Sequence, residues 1–220
     1  MSIRQTIAPG LAASMTSAGP NTWLDEPMYA INWFRAKRPR VYGLYGLLAG
    51  PSVFRTGGKL LLKGVVTETV LGDAGGRDTL LIVNYPSASS FLELLSGRFF
   101  QLVSPLRMMA VRRFSFVMHR RSDGPAMLEY RRQRFDRTRT CAVAIGGGAP
   151  RAEDLPEGVE VVFAGTEAVT VAMEKRRGPQ PLPHSTPSLV VVEGSTARAV
   201  RQWANAQTDA SCVVLLERVL

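Results

Sequence analysis

Residues 79–88 read Thr-Leu-Leu-Ile-Val-Asn-Tyr-Pro-Ser-Ala, and residues 188–197 read Ser-Leu-Val-Val-Val-Glu-Gly-Ser-Thr-Ala. Each is a β-favouring aliphatic run that breaks and then enters a helix through a Ser or Thr able to cap it. The parallel continues beyond the cap. Ser90, Phe91, Leu94 and Leu95 share one helical face after the first run, and Trp203 falls after the second where Leu94 falls after the first. Two copies of one strand-to-helix unit imply a degenerate tandem duplication.

Working outward from residue 79, residues 29–34 alternate as a short strand. The basic turn Arg35-Ala36-Lys37-Arg38-Pro39-Arg40 follows, and then Tyr42, Tyr45, Leu48 and Ala49 recur at helical spacing. Gly57-Gly58 ends that helix. Residues 59–71 form a strand rich in Leu, Val and Thr, and the turn at residues 72–76 returns the chain into residues 79–85 as a hairpin. After the capped helix and Gly97, a second helical piece spans residues 99–110, and residues 114–119 close the unit as a strand. The order is β-α-β-β-α-β, the ferredoxin-like arrangement.

The second half repeats this order with losses. Residues 140–145 open it, residues 158–164 match residues 58–64, and residues 212–217 match residues 114–119 as the closing strand. Gly146-Gly147-Gly148, Pro150 and Pro156 leave room for about one helical turn before residue 159, so the first helix of this copy is expected to be vestigial. Its hairpin loop, residues 174–187, carries four prolines and reads as extended and solvated. The expected organisation is an arm over residues 1–27, a first unit over 28–121, a basic linker over 122–137 and a second unit over 138–220. A four-stranded sheet covered by helices on one face leaves its other face apolar. The expected fold is therefore α+β, two ferredoxin-like units packed sheet to sheet as an intrachain α/β-barrel, a covalent pseudo-dimer. Further pairing between chains stays open.

Composition sets limits on function. At 45% hydrophobic and 20% charged residues the chain is an ordinary globular one. Its longest apolar runs, residues 189–192 and 213–216, are far below the roughly 20 residues of a membrane span, so no membrane partner is expected. Two cysteines, Cys141 and Cys212, make no disulfide framework and fit a reducing cytoplasm. The net charge of +9 is concentrated between residues 98 and 139, which hold eleven Arg against Asp123, Glu129 and Asp136. Within it, Tyr130-Arg131-Arg132-Gln133-Arg134-Phe135 mixes cations with aromatics as nucleic-acid surfaces do. Arg outnumbers Lys by 23 to 4, however, so the richness in Arg is a habit of the whole chain. A solvated linker is the preferred reading and nucleic acid is set aside.

The first unit resembles a family of small bacterial proteins, the domain-of-unknown-function family thirteen-thirty, within the dimeric α/β-barrel superfamily that includes antibiotic-biosynthesis monooxygenases. The likeness covers about residues 28–120. It rests on Tyr29-Ala30-Ile31-Asn32, the Tyr-containing first helix, Gly57-Gly58, Asn84-Tyr85-Pro86-Ser87, and Ser96-Gly97-Arg98-Phe99-Phe100-Gln101 leading to Pro105-Leu106-Arg107. It implies two four-stranded sheets facing each other with helices outside. It also implies activities ranging from cofactor-independent oxygenase to isomerase to haem enzyme.

Candidate chemistry is sparse. No Cys or His pair has metal-ligand spacing, no dinucleotide fingerprint accompanies Gly146-Gly147-Gly148, and no cofactor or metal is expected. Haem would need an axial ligand, for which His184 is the one candidate in the second unit. His119, ending the fourth strand beside Arg120 and Arg121, is either a general base or an edge histidine without a chemical task. Polar residues inside the apolar first unit, Asn32, Tyr42, Tyr45, Lys63, Asn84 and Tyr85, need partners if buried. A cleft between sheet and helix lined by Asn32, Trp33, Tyr45, Asn84 and Phe100 would suit a small aromatic or polyketide-like molecule, with Tyr85 beside it. Arg107, at the family's Arg position, would hold a carboxylate or else pair with Glu93 or a strand end. Met108, Met109 and Met118 read as core filler. The resulting expectation is small-molecule binding with His119 and Tyr45 as catalytic candidates; a non-catalytic scaffold with a filled core is the alternative.

Overall fold

A computed structural model describes residues 25–121, 140–148, 150–171 and 188–219. The expectations for the N-terminal arm up to residue 24, the basic linker, the proline-rich loop and His184 lie outside the described residues.

The first unit runs β1 (Met28–Ala36), α1 (Pro39–Arg55), β2 (Lys59–Leu71), β3 (Thr79–Tyr85), α2 (Ala88–Ser96), α3 (Arg98–Ala110) and β4 (Val111–Arg121). The second runs β5 (Thr140–Ile145), a short 3-10 turn (Ala152–Asp154), β6 (Val159–Val171), β7 (Ser188–Gly194), α4 (Ala197–Ala206) and β8 (Cys212–Arg218). Both helices that follow the paired runs are capped as their sequences suggest. The Ser87 hydroxyl accepts from the Ser90 amide at 3.1 Å, and the Thr196 hydroxyl accepts from the Ala199 amide at 3.3 Å.

The eight strands close into one antiparallel barrel in the order β1-β3-β2-β8-β5-β7-β6-β4. Within it β4-β1-β3-β2 and β8-β5-β7-β6 are the same arrangement twice. The two sheets face each other, as expected, and are also hydrogen-bonded along both edges. This explains why β2 and β6 each have thirteen residues. The first part of β2 pairs with β3 and its later part crosses to β8, bringing Gly64 opposite Arg218. β6 likewise pairs with β7 and then with β4, bringing Gly165 opposite Arg121. Closure leaves no free sheet edge between the halves. The bidentate Glu68–Arg201 pair, 2.6 and 2.7 Å, adds a contact from β2 to α4.

Strand pairing corrects the alignment of the two copies by one residue at two places. Gly64 sits opposite Leu80 and Gly165 opposite Leu189, so residue 64 matches 165 rather than 164. The left-handed glycines agree, Gly57 at φ 78° matching Gly158 at φ 77°. Ser115 opposite Trp33 likewise matches Cys212 opposite Ile145, displacing the match of 114 with 212. Because strand side chains alternate, a slip of one would exchange every inward and outward residue. With the corrected match both copies place a bulge at one spot, between Leu60 and Leu62 and between Val161 and Phe163.

Alternation then divides the core into three. Ile31, Trp33, Leu80, Ile82, Val143 and Val191 are among the side chains filling the barrel interior. Met28, Ala30, Phe34, Tyr85 and Phe116 point outward beneath α1, α2 and α3. On the second unit the outward layer, including Ala142, Val190 and Val213, is covered by α4 through Val200 and Trp203. The vestigial first helix of this copy is the turn at Ala152–Asp154. Met118 is buried as core filler, whereas Met108 and Met109 stand 45% and 52% exposed, contrary to the sequence reading. They fall on the face of α3 turned away from Phe100 and Val103, the residues through which that helix meets the sheet.

Candidate functional site

The polar residues of the first unit lie on two sides of its sheet. Asn32 shares the outward face with Ala30 and Phe34, its amide donating to the Ala30 carbonyl at 3.2 Å. Trp33, one residue on, is packed inside the barrel. Asn84 follows Leu80 and Ile82 on the barrel-facing register and donates to the Met28 and Tyr85 carbonyls, both at 3.4 Å. The cleft expected from sequence is therefore divided by the backbone. Tyr45, Tyr85, Phe100 and Arg107 are brought together with Asn32 on the helix side; Trp33, Asn84 and His119 belong to the other face.

His119 is not at an edge. It follows Val117 at the inward register, is fully buried, and its ring centroid is 6.3 Å from that of Phe163, which itself packs edge-on against Tyr29 at 5.1 Å. Burial pushes its pKa down to about 4, against a weaker opposing hydrogen bond to the Gly165 backbone. At neutral pH the imidazole is uncharged, and the sheet stands between it and Tyr45. An ionisable residue at the third-last place of a strand looks peripheral in sequence; the seam between β4 and β6 buries it.

On the helix side the chemistry converges. α1 begins with Pro39 in its first turn, where a missing amide costs nothing, and it presents Tyr42, Tyr45 and Ala49 to the sheet at a spacing of three and four. α3 presents Phe100 and Val103 to the core and carries Arg107 in its last turn. The Arg107 guanidinium lies 4.8 Å from the Phe114 ring centroid and 6.0 Å from that of Tyr45. Its Nε is buried without a hydrogen-bond partner, and none of the ion pairs among the described residues involves Arg107, Glu93 included. Tyr42 stacks obliquely on Phe34 at 4.7 Å and on Tyr45 at 5.8 Å, with the Lys63 ammonium 5.5 Å from its ring centroid. Lys63 also has no carboxylate partner among the described residues.

Electrostatics follow from burial. Burial holds the Tyr42 and Tyr85 hydroxyls well above the usual phenol range and raises Tyr45 as well, with Arg107 opposing in each case. All three are neutral hydroxyls at physiological pH, able to donate. Burial lowers the Lys63 ammonium below its ordinary value. The result is a cluster of two cations, three neutral hydroxyls and several aromatic faces. Such a set suits a planar anion. Sequence reasoning did not assign Phe34, Lys63 or Phe114 to a site. Period-two alternation from Phe116 would have placed Phe114 on the same face, whereas the approach of Arg107 to it depends on how α3 packs. Among the described residues no group of three His, Cys, Asp or Glu side chains is arranged to hold a metal.

No family model matches this chain, and no curated protein matches it either. Solved structures do. A protein of unknown function from Rhodopseudomonas palustris is 22% identical over 50% of this chain and 89% of its own, with a TM-score of 0.42. An anthrone oxidase-like protein is 11% identical over 89% of this chain and 92% of its own, TM-score 0.47. Chlorite dismutase from Candidatus Nitrospira defluvii is 8% identical over 88% and 92%, TM-score 0.48.

Proposed function

We propose that this chain binds a small aromatic carboxylic acid between α1, α3 and the outer face of the first sheet. The observation that supports the reading is Arg107, a cation stacked on Phe114 and Tyr45 whose buried Nε has no partner among the described residues. A buried donor left unmade costs about 1–3 kcal/mol, and more for a charged group. A carboxylate accepting from Arg107 would remove that penalty, with its ring against the aromatic wall. Tyr45, neutral and with its ring centroid 6.0 Å from the guanidinium, would donate to a ligand oxygen. The cofactor-independent oxygenase or isomerase activity that the family resemblance implies would start from Tyr45 on this side of the sheet; His119, across the sheet, would not reach the same ligand.

The test is titration calorimetry, supported by thermal shift, with benzoate, salicylate and naphthoate on the full chain. Saturable binding of at least one is expected, lost in Arg107→Ala and kept in Arg112→Ala, an exposed arginine nearby in sequence. No saturable binding by any of them, or binding unchanged in Arg107→Ala, overturns the reading.

A further inference from the structure

Nine large hydrophobic side chains are exposed among the described residues, and seven of them stand on two neighbouring helices: Leu44, Leu47 and Phe54 on α1, and Phe99, Leu102, Met108 and Met109 on α3. Leu47 is 74% and Leu102 71% exposed, so these are not the rims of buried residues. On α1 the same outward side carries Gly43 and Gly46, and a Cβ at either would meet nothing within 4 Å. Leucine and phenylalanine therefore rise from a bare backbone. Exposed mid-helix glycines and leucines contribute nothing to this fold alone.

The charge on these helices has one sign. Neither α1 nor α3 contains an acidic residue, and Arg40, Arg55 and Arg98 are exposed on them, with Lys37 and Arg38 leading into α1. We propose that this two-helix face docks in the plane of an anionic lipid surface, its leucines, phenylalanines and methionines entering the headgroup boundary while the arginines meet the phosphates. Exposed leucines, phenylalanines and methionines bordered by arginines hold a protein to an anionic bilayer in this way without crossing it. No helix among the described residues is long and apolar enough to cross, and a peripheral contact needs none. A second copy of the chain fits worse. Two such faces brought together would set Arg40, Arg55 and Arg98 against like charges, with no acid on either helix to offset them. Among the described residues the second unit has no counterpart of either helix, so there the face belongs to the first unit alone.

The test is co-sedimentation of the full chain with vesicles of phosphatidylcholine, with and without phosphatidylglycerol. Binding to the anionic vesicles is expected, weakened by salt, and reduced more than tenfold in Leu47→Glu and Leu102→Glu. Both substituted positions are mostly exposed, so the melting temperature of each variant should equal that of the parent. Phe54→Ser gives an independent reduction. Absence of binding, binding that survives all three variants, or light scattering that shows a dimer dissolved by the same variants would each overturn the proposal.

Discussion

His119 and Leu216 occupy the same place in the two halves of the barrel: His119 stands opposite Tyr29 in the β1–β4 ladder as Leu216 stands opposite Cys141 in the β5–β8 ladder. Both are fully buried. One copy of the duplication fills this inward position with an aliphatic side chain, the other with an imidazole held neutral. The fold at this point requires volume, and the titratable group is particular to the first unit.

A pH dependence follows. The His119 pKa falls from 6.5 unfolded to about 4 folded. Above 6.5 both states are neutral and the group has no effect. Between about 6.5 and 4 the unfolded chain takes up a proton that the folded chain refuses, so stability falls with acidification by about 3 kcal/mol over that window. Urea titrations at a series of pH values should show this slope in the parent and its loss in His119→Leu. An unchanged slope in the variant would remove His119 from the account.

The buried Glu193 carboxylate is held by Arg218 at 3.1 Å, and Asn84 takes the equivalent place in the first unit. Arg218→Met should destabilise the chain by about 1–3 kcal/mol, because a buried carboxylate loses its ion pair with the guanidinium. Adding Glu193→Gln should recover more than half of that loss, since the uncharged amide resembles Asn84. Equal instability of the single and double variants in urea would contradict this.

Two glycine substitutions should have opposite signs. A Cβ at Gly165 would lie 2.6 Å from the Phe163 ring and 2.9 Å from the Arg120 carbonyl. Gly165→Ala is expected to cost about 1–3 kcal/mol through strain at the β4–β6 seam. Gly43→Ala, on an exposed helix face with nothing within 4 Å, should stabilise by about 0.5–1 kcal/mol. Thermal denaturation of the two variants measures both.

Arg107→Lys should bind an aromatic acid at least tenfold more weakly than the parent, although charge is conserved. An ammonium offers neither the planar fork nor the stacking on Phe114 and Tyr45. Parent affinity should also fall as pH drops below about 4, where the ligand's carboxylate is protonated and the buried tyrosines stay neutral. Titration calorimetry at two pH values would show both effects.

Much of the architecture was legible in local pattern. The aliphatic runs before Ser87 and Thr196, the turn at Gly57, and the shortened segment after Ile145 each depend on neighbours in sequence. The exact match of the copies was less so. The bulges at Leu61 and Val162 add one residue to a strand, and only the partner strand reveals on which side the alternation resumes. The candidate site was legible by residue type and only in part by grouping. Strand alternation by itself sets Asn32 with Ala30 and Phe34 on the face opposite Tyr29, Ile31 and Trp33, whereas Arg107 and Phe114, seven residues apart, come into contact only through the packing of α3.

By itself, the sequence determined the two strand-rich halves, their internal order, the loss of a helix in the second and the excess of arginine, because propensity, capping and alternation act over a few residues. Tertiary structure alone decided that β2 and β6 zip the halves into a closed barrel, that His119 is sealed inside it, and that Arg107 rests on aromatic rings with no acid paired to it among the described residues. Those outcomes arise from pairings between residues far apart in the chain, whose free energy comes from removing surfaces and backbone groups from water together.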